Sequence, residues 1–242
     1  MTNKTTGLMA SSSSLPSDPL LALQWYLGDG PWSINIKKAW EDYGGAGVRV
    51  GVLDSGFNYI HPDLSANYRT DLDYDFTDED NDAFNTGANN NHGTAVMGLI
   101  GADDNGIGTV GVAHDADLVG YRVDLSKSSA LTAIIRGFSI AENEVDILNN
   151  SWGFASIMSD NLNRNGLRSF WSALENLAED GRDGLGTITV VAGGNNRASG
   201  DSANYHNFQN SPYTIAVGAM DEDGTYSSFS SPGSSLLITA PG

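Results

Sequence analysis

Three short stretches of this 242-residue chain carry side chains able to do acid–base chemistry. "VLDSG" (52–56) ends an apolar run in a carboxylate, Asp54. "NNNHGTAVMG" (89–98) sets His92 ahead of Gly-Thr and a further apolar run, and "VVAGGN" (190–195) ends in two glycines and an amide, Asn195. An imidazole accepts a proton near neutral pH, and an amide N–H can donate to developing negative charge. Each stretch also has a plain structural explanation. An acid at a strand end can cap a helix, a histidine beside glycine can sit in a turn or cap, and Gly-Gly-Asn can form a tight turn.

The elements that would hold these residues alternate along the chain. Strands are expected at 48–54, 117–123, 145–151, 186–195 and 213–219. Val96, Leu99 and Ile100 stand at helical spacing after His92, and Leu131, Ile134, Ile135 and Phe138 mark a second helix. "GLRSFWSALENLAEDG" (166–181) predicts a long amphipathic helix through Leu167, Phe170, Trp171, Leu174 and Leu177, with Gly181 as its C-cap. Strands alternating with helices predict an α/β fold with a mostly parallel sheet. In such sheets function gathers beyond the carboxyl ends of the strands, where Asp54, Ser151 and Asn195 fall. Residues 1–17, rich in Ser and Thr, read as a flexible lead to one domain at 18–242. The polar segment 71–91 reads as a long surface loop.

Composition narrows the function classes. Thirty acidic against 12 basic residues give a net charge of −18, which excludes a basic footprint for nucleic acid and disfavours an anionic membrane surface. Calcium ligation or halophilic solvation would account for the acid excess. With no cysteine, disulfides, thiolate catalysis and Cys-based metal sites are excluded. No apolar run reaches the ~20 residues of a membrane span, and the N-terminus lacks the apolar core of a signal peptide. The glycines of "GGAGVRVG" precede their strand, whereas a dinucleotide fingerprint needs them after it.

Taken together, Asp, His and Asn in that order, with "NSWG" (150–153), resemble the subtilisin-like serine proteases, the subtilases. The resemblance narrows to the kexin/furin-like branch through "DPLLALQWYL" (18–27), "INIKKAW" (34–40), "HPDL" (61–64), "AEDGRDGLGTITVVAGGN" (178–195) and "NSPYTIAVGA" (210–219). It implies a three-layer subtilisin-like fold with helices on both faces of the sheet, and a calcium-stabilised serine endopeptidase acting on protein or peptide substrates. In that family an Asp orients a His, the His deprotonates a Ser, and an Asn amide helps hold the oxyanion. These roles carry over to Asp54, His92 and Asn195, with Ser151, Trp152 and Gly153 as the strand that pairs with substrate backbone.

Two calcium sites carry over as well. The first comprises Asp18, Asp63, Asn105 and the carbonyls of Ala102, Ile107 and Thr109. The second comprises Asp75, Asp80 and Asp82. Hard oxygen donors of this mix suit Ca²⁺, although acids in a loop can also serve solvation alone.

The chain departs from the family pattern in two respects. The nucleophile's "GTSMA"-like motif would follow "APG" (240–242) by some twenty residues, and no "GTS" occurs here. Ser227, Ser228, Ser230 and Ser231 precede the last strand. The chain is therefore expected to be an inactive piece of a longer, extracellular protein with a monomeric catalytic domain. The alternative is a non-catalytic, calcium-dependent binding domain that retains the cleft. In addition, Ser55, Asn89, Ser156 and His206 stand where the branch places several substrate-binding acids, and of a further calcium site only Asp201 remains. This predicts a looser endopeptidase than a strictly dibasic one.

Overall fold

A computed structural model describes residues 15–85, 87, 91–161, 164 and 166–242. Most of the expected flexible lead, and Asn89, lie outside the described residues. Among the described residues, seven strands form one sheet: β1 (Arg49–Asp54), β2 (Tyr74–Asp75), β3 (Asp117–Arg122), β4 (Ile147–Asn150), β5 (Ile188–Ala192), β6 (Ile215–Met220) and β7 (Leu236–Pro241). Their order is β2-β3-β1-β4-β5-β6-β7, and all neighbours run parallel. Among the described residues, α1 (Lys37–Trp40), α2 (His92–Gly101), α3 (Ala130–Glu144) and α4 (Leu167–Glu179) accompany them, with a further four-residue helical turn at Gly181–Gly184.

Side-chain alternation sorts the strands onto two cores. Leu53, Tyr121, Leu148, Val191 and Ala216 pack with Phe138 of α3 and with Phe170, Leu174 and Leu177 of α4. Val50, Val52 and Leu118 point the other way and pack with Met97 of α2. Burying each of these large apolar side chains contributes roughly 1.5–3 kcal/mol, so this two-sided pattern holds helices on both faces of an α/β, three-layer fold. The second face is covered unevenly. Past β4 it carries Ile188 at 44% exposure and Ile238 at 57%, with Val190, Ile215 and Val217 half-buried.

The connections decide where a site can form. After β1 the chain passes through α2 toward β3 on one side, and after β3 it passes through α3 back to β4 on the other. The carboxyl ends of β1 and β4 therefore flank a topological switch point, the crevice where such sheets bind ligands.

The helix expected after His92 forms as α2, with Val96 and Ile100 packed against the second core and Leu99 52% exposed. Two local expectations are corrected. Gly181 is not the C-cap of α4, a place taken by Asp180; Gly181 is buried where a Cβ would lie 2.5 Å from Thr187 Oγ1. The polar segment 71–91 is not wholly surface loop, since it contributes β2 and buries Phe76 and Ala83.

Candidate active site

Asp54 closes β1 with its side chain 5% exposed. The Ser55 backbone N–H and hydroxyl both donate to its Oδ1, at 2.7 and 3.1 Å. Gly56 then takes φ +121°, a conformation open to glycine, and the chain leaves the sheet. The N-terminus of α2 approaches this turn closely, because Gly93 has no side chain to hold it off. Thr94 Oγ1 accepts a hydrogen bond from the Asn58 N–H at 2.9 Å, tying the helix to the same turn.

This packing brings His92 over the strand end, with Nδ1 2.9 Å from both carboxylate oxygens of Asp54. The N-cap of α2 is Asn91, so His92 is the first helical residue and its ring is committed to Asp54 rather than to capping. With Nδ1 donating to a buried carboxylate, the imidazole tautomer is set and Nε2 is left as an acceptor. The His92 side chain is 61% exposed, which leaves that acceptor within reach of a reactant.

The β4 and β5 ends supply the second half of the site. Gly193 and Gly194 carry the chain out of β5, Gly194 at φ +103°, and present Asn195 at the surface. Asn195, Ser151, Trp152 and Gly153 line one cavity of about 250 Å³. Trp152 is held by stacking on Phe208, with ring centroids 4.9 Å apart. Because β1, β4 and β5 are consecutive parallel neighbours, the Asp54–His92 pair and the Asn195 cavity lie along the same edge of the sheet. The cavity is also lined by His206 and Asp201, both singled out by the family resemblance, and by Gln209, which no local motif signals. His206 Nε2 lies 3.1 Å from both oxygens of Asp201, and Gln209 sits beside them.

The serines near the C-terminus are engaged structurally. Ser227 Oγ donates to Asp221 at 2.6 Å, Ser230 Oγ accepts from the Ala219 N–H, and Ser231 Oγ accepts from the Asn196 N–H.

Around the first expected calcium site, the structure brings residue 18 to the 102–109 loop. The Leu20 N–H donates to the Gly108 carbonyl at 3.0 Å, and the Ser17 N–H donates to Asp104 Oδ1 at 3.2 Å. Asp63 Oδ2 accepts from the Thr109 N–H and hydroxyl. Asn105 Oδ1 accepts from the Ile107 N–H, and the Ala102 carbonyl from the Gly111 N–H. Asp18 is 4% exposed, and neither of its carboxylate oxygens has a partner. Burial, and then the neighbouring Asp104 carboxyl, push its carboxyl up to about 6. A buried carboxylate with two free oxygens beside a second one fits a cation.

The second expected site does not fit one. Asp75 pairs with Arg122 and also accepts from the Thr77 and Asp78 N–H groups. Asp80 accepts from the Asp82 N–H, and Asp82 from Tyr59 and the Phe84 N–H. These carboxylates are occupied separately. Among the described residues, no group of three or more acidic, histidine or cysteine side chains gathers to hold a metal.

A doubly wound parallel sheet with an aspartate–histidine pair at its switch point belongs to a recognisable class of hydrolase. The family model for peptidase S8, the subtilase family, matches residues 45–242, and the chain belongs to that family. It is 34% identical over 232 residues to Furin-1 of Xenopus laevis, covering 93% of this chain and 29% of that protein. It is 33% identical over 244 residues to neuroendocrine convertase 2 of Rattus norvegicus, covering 92% and 36%. The solved serine protease of Aeromonas sobria superposes with a TM-score of 0.82 at 25% identity, over 100% of this chain and 46% of that one. The chain thus spans about a third of the length of the curated relatives it matches.

Proposed function

We propose that this chain is the Asp–His–Asn part of the catalytic domain of a serine endopeptidase, with its nucleophile supplied by sequence following residue 242. The observation that carries this reading is the contact of His92 Nδ1 with both oxygens of buried Asp54. In the proposed reaction His92 Nε2 takes the proton of the serine hydroxyl as the oxygen bonds to the scissile carbonyl carbon. The Asn195 amide donates to the resulting oxyanion. His92 then gives the proton to the leaving amine, and water repeats the cycle on the acyl-enzyme. Ser151, Trp152 and Gly153 would lie alongside the substrate backbone. The exposed Ile188 and Ile238 on the sheet face beyond β4 support a further helix as its cover.

Calcium belongs to this reading at the first site only. Bound by Asp18, Asp63, Asn105 and the loop carbonyls, it would fasten the segment at residue 18 to the core and take no part in proton transfer. High free calcium outside cells supports an extracellular setting, and we read the catalytic domain as monomeric. With Ser55, Ser156 and His206 in place of acids, cleavage restricted to dibasic sites is not expected. Among the described residues, no helix is long and apolar enough to cross a membrane.

The test is labelling by a fluorophosphonate probe. The 242-residue chain should stay unlabelled, and the longer protein should label in a manner abolished by His92→Ala. Absence of labelling in the longer protein would favour a non-catalytic binding domain instead.

A further inference from the structure

The turn that presents Asn195 has little stiffness of its own. Gly193 and Gly194 precede it, and glycine has the widest conformational freedom of any residue. Asn195 is exposed, so the direction of its amide depends on where the backbone holds residue 195. If the endopeptidase reading above holds, that direction matters, because an oxyanion donor acts only from a fixed distance.

The turn is held from outside by Ser231, 35 positions from Asn196 in the chain. Ser231 brackets residue 195 on both sides. Its N–H donates to the Gly194 carbonyl at 2.8 Å, and its Oγ accepts from the Asn196 N–H at 3.1 Å. The approach is close, since a Cβ added to Gly194 would lie 3.0 Å from that same Oγ. The Arg197 N–H in turn donates to the Phe229 carbonyl at 3.2 Å. Residues 194, 196 and 197 are thus all bonded to the segment 229–231.

That segment is itself fixed. Ser231 is 1% exposed, and Pro232 after it biases its backbone toward extended conformations. Ser230 Oγ accepts from the Ala219 N–H of β6 at 3.0 Å. The Pro232 carbonyl accepts from the Ala203 N–H and the Ser202 hydroxyl, each at 2.8 Å. Ser231 therefore carries the position of the sheet over to a turn that could not fix itself.

We propose that Ser231 is a positioning residue for the reaction: its hydroxyl holds the Asn196 N–H, and this aims the Asn195 amide at the developing oxyanion. It acts through the backbone rather than by touching substrate.

The test is a double-mutant cycle on the longer, serine-bearing protein with one peptide substrate. Ser231→Ala keeps the backbone bond to Gly194 and removes only the acceptor for the Asn196 N–H. Its kcat should fall about 10- to 100-fold, the range for a misaimed group in an active site, with KM little altered. In an Asn195→Ala background the same substitution should cost less than about twofold, because the group it aims is gone. A loss of equal size in both backgrounds, an unchanged kcat, or an effect on KM alone overturns the proposal and leaves the protease reading intact. Should Ser231→Ala fail to fold, amide exchange in the unaltered 242-residue chain decides. The Asn196 N–H should exchange at least about tenfold slower than in an unstructured peptide, and exchange at the unstructured rate overturns the proposal. If the longer protein cleaves no peptide at all, the endopeptidase reading fails and this proposal with it.

Discussion

Gly93 lies so close to Gly56 that a Cβ on it would sit 2.6 Å from the Gly56 carbonyl oxygen, and 3.1 Å from Asp54 Cβ. The glycine after His92 is thus what lets the helix N-terminus settle on the strand end and bring the imidazole within 2.9 Å of the carboxylate. Gly93→Ala must push α2 away against backbone, which does not yield as a flexible side chain would. The expected cost is about 1–3 kcal/mol, read as a lowered urea midpoint. A variant as stable as the parent would show that the approach is not required.

Asp54→Asn tests what the carboxylate does for His92. The amide preserves shape and can donate to Nδ1, which favours the tautomer with its proton on Nε2, the wrong one for a general base. In the longer, serine-bearing protein, kcat should fall by about 10⁴, the size this change has in Ser-His-Asp proteases, with KM little altered. A loss below tenfold would remove Asp54 from the proposed role.

Calcium removal tests the first cation site. EDTA should lower the melting temperature markedly, and the Asp18→Asn variant should lose most of calcium's stabilisation. Coincident melts with and without EDTA would sink the site. The pH dependence has a definite sign. The carboxyl of Asp18 is pushed up to about 6 in the folded, metal-free chain, from an ordinary value of 3.8. The folded state therefore binds this proton more tightly than the unfolded state does. The contribution is fully present below about 3.8 and is lost as pH rises through about 6. Calcium should compensate for that loss, so its stabilisation should be larger at pH 7 than at pH 5.

Arg122 tests the rejected second site. Its guanidinium pairs with Asp75, 2% exposed, and with Asp78 at 2.7 Å. Arg122→Met leaves a buried carboxylate uncompensated and should cost roughly 3–5 kcal/mol. Adding Asp75→Asn should recover a large part of that loss, measured by chemical denaturation. If Arg122→Met alone were neutral, Asp75 would not depend on the guanidinium.

Much of this protein was legible in the sequence because its strongest signals are local. Apolar runs of strand length ending in Asp54, Asn150 and Asn195, separated by amphipathic helices, dictate a parallel sheet, and parallel strands put those ends along one edge. The order Asp, His, Asn together with "NSWG" was enough to indicate the family, since each is a short contiguous motif and parallel strands bring their carboxyl ends to one edge. The tertiary structure decided what depends on residues distant in sequence. It showed that His92 bonds to Asp54 across 38 positions rather than capping its helix, because Gly93 and Gly56 meet. It gave Asp75 to Arg122, 47 positions away, a partner not signalled by the family resemblance that grouped Asp75 with Asp80 and Asp82 as a metal site. It also set Asp201, His206 and Gln209 in the cavity wall, with Asp160 buried behind His206. No periodicity links those four, and burial in a shared space is a property that only the folded chain possesses.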